Sequence, residues 1–151
     1  MELYLGKKKA TVTTTDEVGE NIFEKIHVTE RKMAETQKNE FAAYADGVLI
    51  PIEEVDDDTF AQKVLGDGIA IIPENGNIYA PFDAEVVMVM DTGHAIGLMD
   101  KNNNEFLIHI GINTVNLNGK YFDVQAAVGD QVKMGDILVT EDIEKIKAKD
   151  I

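Results

Sequence analysis

The sequence predicts an all-β protein, a mostly antiparallel β-sandwich or barrel with short helices. Two observations carry this. From Phe41 onward the chain is built of brief apolar runs, each too short for a helix and each closed by Gly, Pro, Asn or Asp, the punctuation of strands joined by turns. At 151 residues and 44% hydrophobic content, the chain is long enough to bury one substantial core and too short to expect two.

In chain order, residues 1–40 are polar, with the run Lys7-Lys8-Lys9, a Thr-rich stretch from Thr11 to Thr15 and a charged segment from Glu30 to Glu40. This portion reads as an N-terminal leader or linker with room for one strand and one short helix, followed by the domain proper at 41–151. Strand-like runs follow at Val48–Ile50, Ile69–Ile72, Ala84–Met90, Ala95–Met99, Glu105–Ile110 and Ile137–Thr140. Phe60–Leu65 reads as a helical turn entered from Asp56-Asp57-Asp58-Thr59, which offers N-cap side chains and the negative charge that suits a helix start. Beyond that capping role the acidic run reads as a solvated loop. Asp142–Lys149 places Ile143 and Ile146 on one side of a short amphipathic helix.

Composition narrows the function. The 28 acidic and 14 basic residues give a formal charge of -14, a field that repels nucleic acid and anionic membranes and favours neutral or basic partners. No stretch approaches the ~20 apolar residues of a membrane helix, and no signal-peptide core precedes Asp16. With no Cys, disulfides, thiolate metal sites and cysteine nucleophiles are all excluded, in keeping with a reducing cytoplasm.

The chemistry concentrates between Thr92 and Gly111. Two strand-like runs flank Asp100-Lys101-Asn102-Asn103, a polar loop of turn formers, which predicts an antiparallel hairpin. If Met99 pairs with Asn104, His94 falls opposite His109, where Cβ atoms on one face lie roughly 4.5–5.5 Å apart. Alternation then puts Ile96, Leu98 and Leu107 on the histidine face and sends Phe106, Ile108 and Ile110 to the core. A lone strand histidine is usually only a hydrogen-bonded structural residue; two facing each other beside Gly93 and Gly111 can engage one small anion or one metal ion. His27 has no such setting.

At these residues the sequence resembles the glucose-type IIA family of the phosphoenolpyruvate-dependent sugar phosphotransferase system. The matching pieces are Phe60-Ala61-Gln62-Lys63, Gly66-Asp67-Gly68-Ile69-Ala70-Ile71, Ala80-Pro81-Phe82-Asp83-Ala84, Thr92-Gly93-His94-Ala95, the run from Ile108-His109 through Gly119, and Phe122 through Gly129-Asp130-Gln131-Val132-Lys133-Met134-Gly135-Asp136. They occur in the family's order over roughly residues 42–149. The resemblance implies a cytoplasmic β-sandwich of the duplicated hybrid-barrel type that needs no cofactor or metal. As a histidine phosphotransferase it would accept a phosphoryl group from the phosphocarrier HPr and pass it to a IIB domain, meeting the membrane only through the transporter's IIB and IIC components. His109 matches the phosphorylated histidine, His94 the second active-site histidine and Thr92 the residue that orients it. Phe60, Val64, Leu65, Met90 and Leu107 match an apolar docking ring. The IIB site is a cysteine in this system, so it is not on this Cys-free chain. Asn113 stands where the family often has Asp. The family also usually continues through a further strand with a Pro-Val-Val-like run beyond the position of Ile151, which leaves either the N-terminal segment, for example Lys9 to Thr14, to fill that place or an open sheet edge.

Other readings stand beside this one. A regulatory IIA-like domain that binds a permease or a metabolic enzyme according to its phosphorylation state would use the same histidine as a charge switch. A zinc-dependent hydrolase needs a third ligand and a general base, and the position two after His109 is Gly111 rather than a second imidazole, although zinc could lodge between His94 and His109. A biotin or lipoyl carrier is hinted at by Gly129-Asp130 to Gly135-Asp136, but Lys133-Met134 lacks the flanking Met of a biotinylation site, and the pattern reports turn geometry.

Overall fold

The computed structural model describes residues 3–6, 11–12, 25–26 and 40–149. His27 and the charged segment up to residue 39 lie outside the described residues. Among the described residues twelve strands run in chain order: β1 (Leu3–Gly6), β2 (Thr11–Val12), β3 (Lys25–Ile26), β4 (Glu40–Phe41), β5 (Ala45–Pro51), β6 (Gly68–Tyr79), β7 (Ala84–Val89), β8 (Ala95–Met99), β9 (Glu105–Ile110), β10 (Phe122–Val124), β11 (Gln131–Val132) and β12 (Ile137–Glu141). The same residues form two short helices, α1 (Asp58–Ala61) and α2 (Ile143–Lys147), and two single-turn 3-10 segments. The predicted all-β, mostly antiparallel sandwich is the fold observed.

The main sheet follows the order β10-β12-β6-β1-β9-β8-β7-β11, with β5 also paired to β6 and β3 paired to β5. Its two ends meet over one core. Val139 of β12 and Ile78 of β6 are buried in the same cluster as Val86 of β7 and Leu98 of β8, so the sheet closes over itself around that cluster. A smaller cluster of Ile50, Ile52, Val55, Phe60 and Ala70 packs beneath α1. That helix starts where the acidic run predicts. Asp57 is its N-cap, accepting from the backbone N–H groups of Thr59 at 2.9 Å and Phe60 at 3.4 Å. Asp142 caps α2 in the same way, with Ile143 and Ile146 buried.

Two expectations are corrected. The β8–β9 register pairs Met99 with Glu105, not with Asn104, so the whole ladder is displaced by one residue. Asp100 is the cause: its carboxylate accepts from the backbone N–H groups of Asn102 and Asn104, both at 2.8 Å, and Asn103 takes a positive φ of 60°, which draws Asn104 into the loop. Ile96 and Leu98 therefore lie opposite Ile108 and Phe106 and belong to the core, not to the histidine face. The second correction concerns the amino-terminal segment. The strand inside the main sheet is Leu3–Gly6; within Lys9–Thr14, Thr11–Val12 pairs in parallel with Glu40–Phe41 in a separate two-stranded sheet.

A candidate phosphohistidine site

Register alone would separate the two histidines, since Ala95 is the residue opposite His109. They meet because His94 precedes the strand. Met90 to Gly93 form a turn closed by the Gly93 N–H to the Met90 carbonyl at 2.7 Å, and Gly93 adopts φ 70°. A side chain there would also press on Val124 at 2.9 Å, so glycine is required twice over. The His94 carbonyl still accepts from the Ile110 N–H at 2.7 Å, while its ring lies edge-on to His109 with centroids 5.0 Å apart and planes at 76°.

Each imidazole is held at Nδ1. His109 donates from Nδ1 to the Gly111 carbonyl at 2.8 Å, a contact made possible where the chain turns at Gly111 with φ 73°. A carbonyl only accepts, so Nδ1 carries the proton and the lone pair of the neutral ring lies on Nε2. His94 Nδ1 is 2.5 Å from the Thr92 hydroxyl. When that hydroxyl donates, Nε2 of His94 carries a hydrogen and is a donor for an anion. Thr114 anchors the end of β9 by donating its hydroxyl to the Ile110 carbonyl.

The pair sits in an apolar frame. Phe60 places its ring 4.8 Å from that of His109, tilted by 56°. Burial, and next the proximity of His94, lower the His109 pKa to about 4, against a weaker opposing pull from the Gly111 carbonyl. His94, 5% exposed, is lowered from the ordinary imidazole value by burial. Both rings are therefore neutral at physiological pH. Among the described residues no third His, Cys, Asp or Glu joins them in a group able to hold a metal ion.

The residues predicted from the sequence fall into two sets. His109, His94, Thr92 and Phe60 converge on one spot, with Phe60 itself buried. Val64, Leu65 and Met90 are exposed, and Leu107 shares its face with His109 two residues along β9. Sequence reading missed Met88. A bulge in β7 brings it opposite Gly97, which in turn lies opposite Leu107, so Met88 joins the outer face beside the histidines. The correct register would have revealed it.

A model of the phosphoenolpyruvate-dependent sugar phosphotransferase system family EIIA 1 matches residues 39–151. The chain belongs to this family. As a glucose-type IIA domain it is a phosphocarrier component in sugar uptake. It is 42% identical over 132 residues to a glucose-specific EIIA component of Halalkalibacterium halodurans, covering 85% of this chain and 76% of that one. A glucose-specific EIIA component of Oceanobacillus iheyensis is 46% identical over 120 residues, 78% of this IIA chain and 73% of its own. A glucose-specific EIICBA component of Streptococcus pneumoniae is 42% identical over 126 residues, which make up 17% of that longer protein. The solved glucose permease IIA of Mycoplasma capricolum superposes with a TM-score of 0.69 at 38% identity, covering 71% of this chain and 70% of that one. No helix among the described residues of this IIA domain is long and apolar enough to cross a membrane.

Proposed function

We propose that His109 is the phosphoryl carrier of this IIA domain, receiving the group on Nε2 from HPr and passing it to a IIB domain in the cytoplasm. The observation that carries this is the hydrogen bond from His109 Nδ1 to the Gly111 carbonyl, which leaves Nε2 unprotonated on a neutral ring. In the loading step Nε2 forms a bond to phosphorus as the donor's bond to phosphorus breaks. In the unloading step the new N–P bond breaks as a IIB thiolate attacks, and the electron pair returns to the imidazole. Positioning supplies most of the rate in such a transfer. His94, with Thr92 on its Nδ1, donates to the phosphoryl oxygens, and the Gly111 carbonyl steadies the positive charge on the phosphorylated ring. Met88, Met90, Val64, Leu65 and Leu107 form the surface on which HPr and IIB dock in turn, excluding the water that would hydrolyse the intermediate.

Incubation with phosphoenolpyruvate, enzyme I and HPr, followed by intact-mass measurement, tests the assignment. One acid-labile phosphate is expected on the intact chain and none on His109→Ala. Label that survives in His109→Ala sinks it.

A further inference from the structure

β1 occupies a place that its length does not advertise. These four residues lie between β6 and β9 and outside residues 39–151, the part of the chain that the family model matches. Tyr4 is the register partner of His109 on one side and of Ala70 on the other. Among the described residues β6 and β9 do not pair with each other, so β1 is the seam that joins the β8–β9 hairpin to the β5–β6 half of the sheet.

The alternation of backbone groups makes this seam specific to His109. In an antiparallel ladder a residue turns its N–H and C=O to one side, and its neighbours turn theirs to the other. The Ile110 N–H goes to the His94 carbonyl, so the backbone groups of Ile110 and Ile108 face β8. Those of His109 face away from β8, toward Tyr4. The histidine's side chain is held by Gly111 and its own peptide by β1.

We infer that β1 is a positioning element for phosphoryl transfer, fixing the His109 peptide through the backbone of Tyr4. This rests on His109 being the carrier. Loss of the contact leaves β9 an edge strand, its histidine peptide free to tilt, and the imidazole no longer fixed against Gly111 and His94. Only the backbone is required, so Tyr4→Phe is expected to transfer at the native rate. Tyr4→Pro removes the N–H that faces β9 and is expected to slow loading from phospho-HPr by about tenfold or more. It should also move the His109 titration midpoint, followed by NMR, up toward that of a free imidazole, a change that uniform loss of stability would not confine to one ring.

Amide hydrogen exchange on the intact, unmutated chain settles the matter even if Tyr4→Pro fails to fold. The His109 amide should be protected to within about tenfold of Ile108 and Ile110, the amides held by β8. Exchange of the His109 amide at the rate of an open strand edge overturns the inference, as does an unchanged rate and midpoint in folded Tyr4→Pro. A protected His109 amide in a chain that His109→Ala shows not to carry phosphate there would instead overturn the carrier assignment and leave the seam standing.

Discussion

His109 and Gly111, two residues apart, are joined by a 2.8 Å hydrogen bond from the imidazole Nδ1 to the backbone carbonyl. The turn that ends β9 thus selects the tautomer of the last histidine in it. Sequence spacing sets both at once: a glycine two positions on supplies the positive φ and the acceptor.

The first prediction concerns the charge of that ring. With its pKa lowered to about 4 by burial, His109 should titrate in the folded protein well below the ordinary 6.5. Because the folded value is depressed, its contribution to stability is present above pH 6.5 and is lost as pH falls through about 4. NMR titration of the His109 ring checks this. A midpoint near 6.5 would contradict the buried, neutral nucleophile.

His94→Gln separates loading from unloading. Gln can still donate a hydrogen bond, enough for HPr to charge His109, but not from the position that Thr92 fixes for the imidazole, so transfer to IIB should fall by about a hundredfold, the scale of losing one well-placed donor to developing charge. Rapid-quench measurement of the two half-reactions reads the split. An unaltered rate to IIB removes His94 from the mechanism.

The outer face should behave as a docking surface. Met90→Glu changes a side chain that is 40% exposed and should raise the KM for phospho-HPr by about tenfold with little loss of stability. Val128→Glu, 64% exposed in the turn that meets Val86 at the far end of β7, is the control and should leave KM unchanged. Equal effects from both would mean that net charge, not contact, governs recognition.

Glu141 predicts a pH effect on stability. It is 5% exposed at the end of β12, neither carboxylate oxygen has a hydrogen-bond partner among the described residues, and burial raises its pKa to about 8. A raised folded value gives a contribution that is complete below pH 4.5 and declines as pH rises through about 8. Glu141→Gln, which cannot ionise, should therefore gain on the native chain by roughly 4 kcal/mol between pH 4.5 and 8. Urea unfolding at a series of pH values measures the gap, and parallel curves would show that the carboxyl is not buried in solution.

The sequence carried β5 to β9 and β12, the two helices and the pair of histidines, because each is written in local chemistry: apolar runs, the acidic capping run before Phe60, the spacing of Ile143 and Ile146, glycines beside the rings. The hairpin count failed for an equally physical reason. Asp100 to Asn104 are all tolerant of turns except Lys101, and nothing in their propensities says that the Asp100 carboxylate will bind two amides and absorb one more residue. The histidines meet despite that slip only because Gly93 swings His94 out of the ladder. β1 was illegible for another cause. Four residues contain no period to read, and what places them is a pairing with partners far along the chain.

That pairing governs the order of events during synthesis. Leu3 and Ile110 are register partners 107 residues apart, so β1 leaves the ribosome long before the strand it must lie against exists. A nascent chain arrested anywhere short of β9 leaves one edge of β1 unpaired and lacks His109, and the seam beside that histidine is assembled only when two strands lying more than a hundred residues apart find each other.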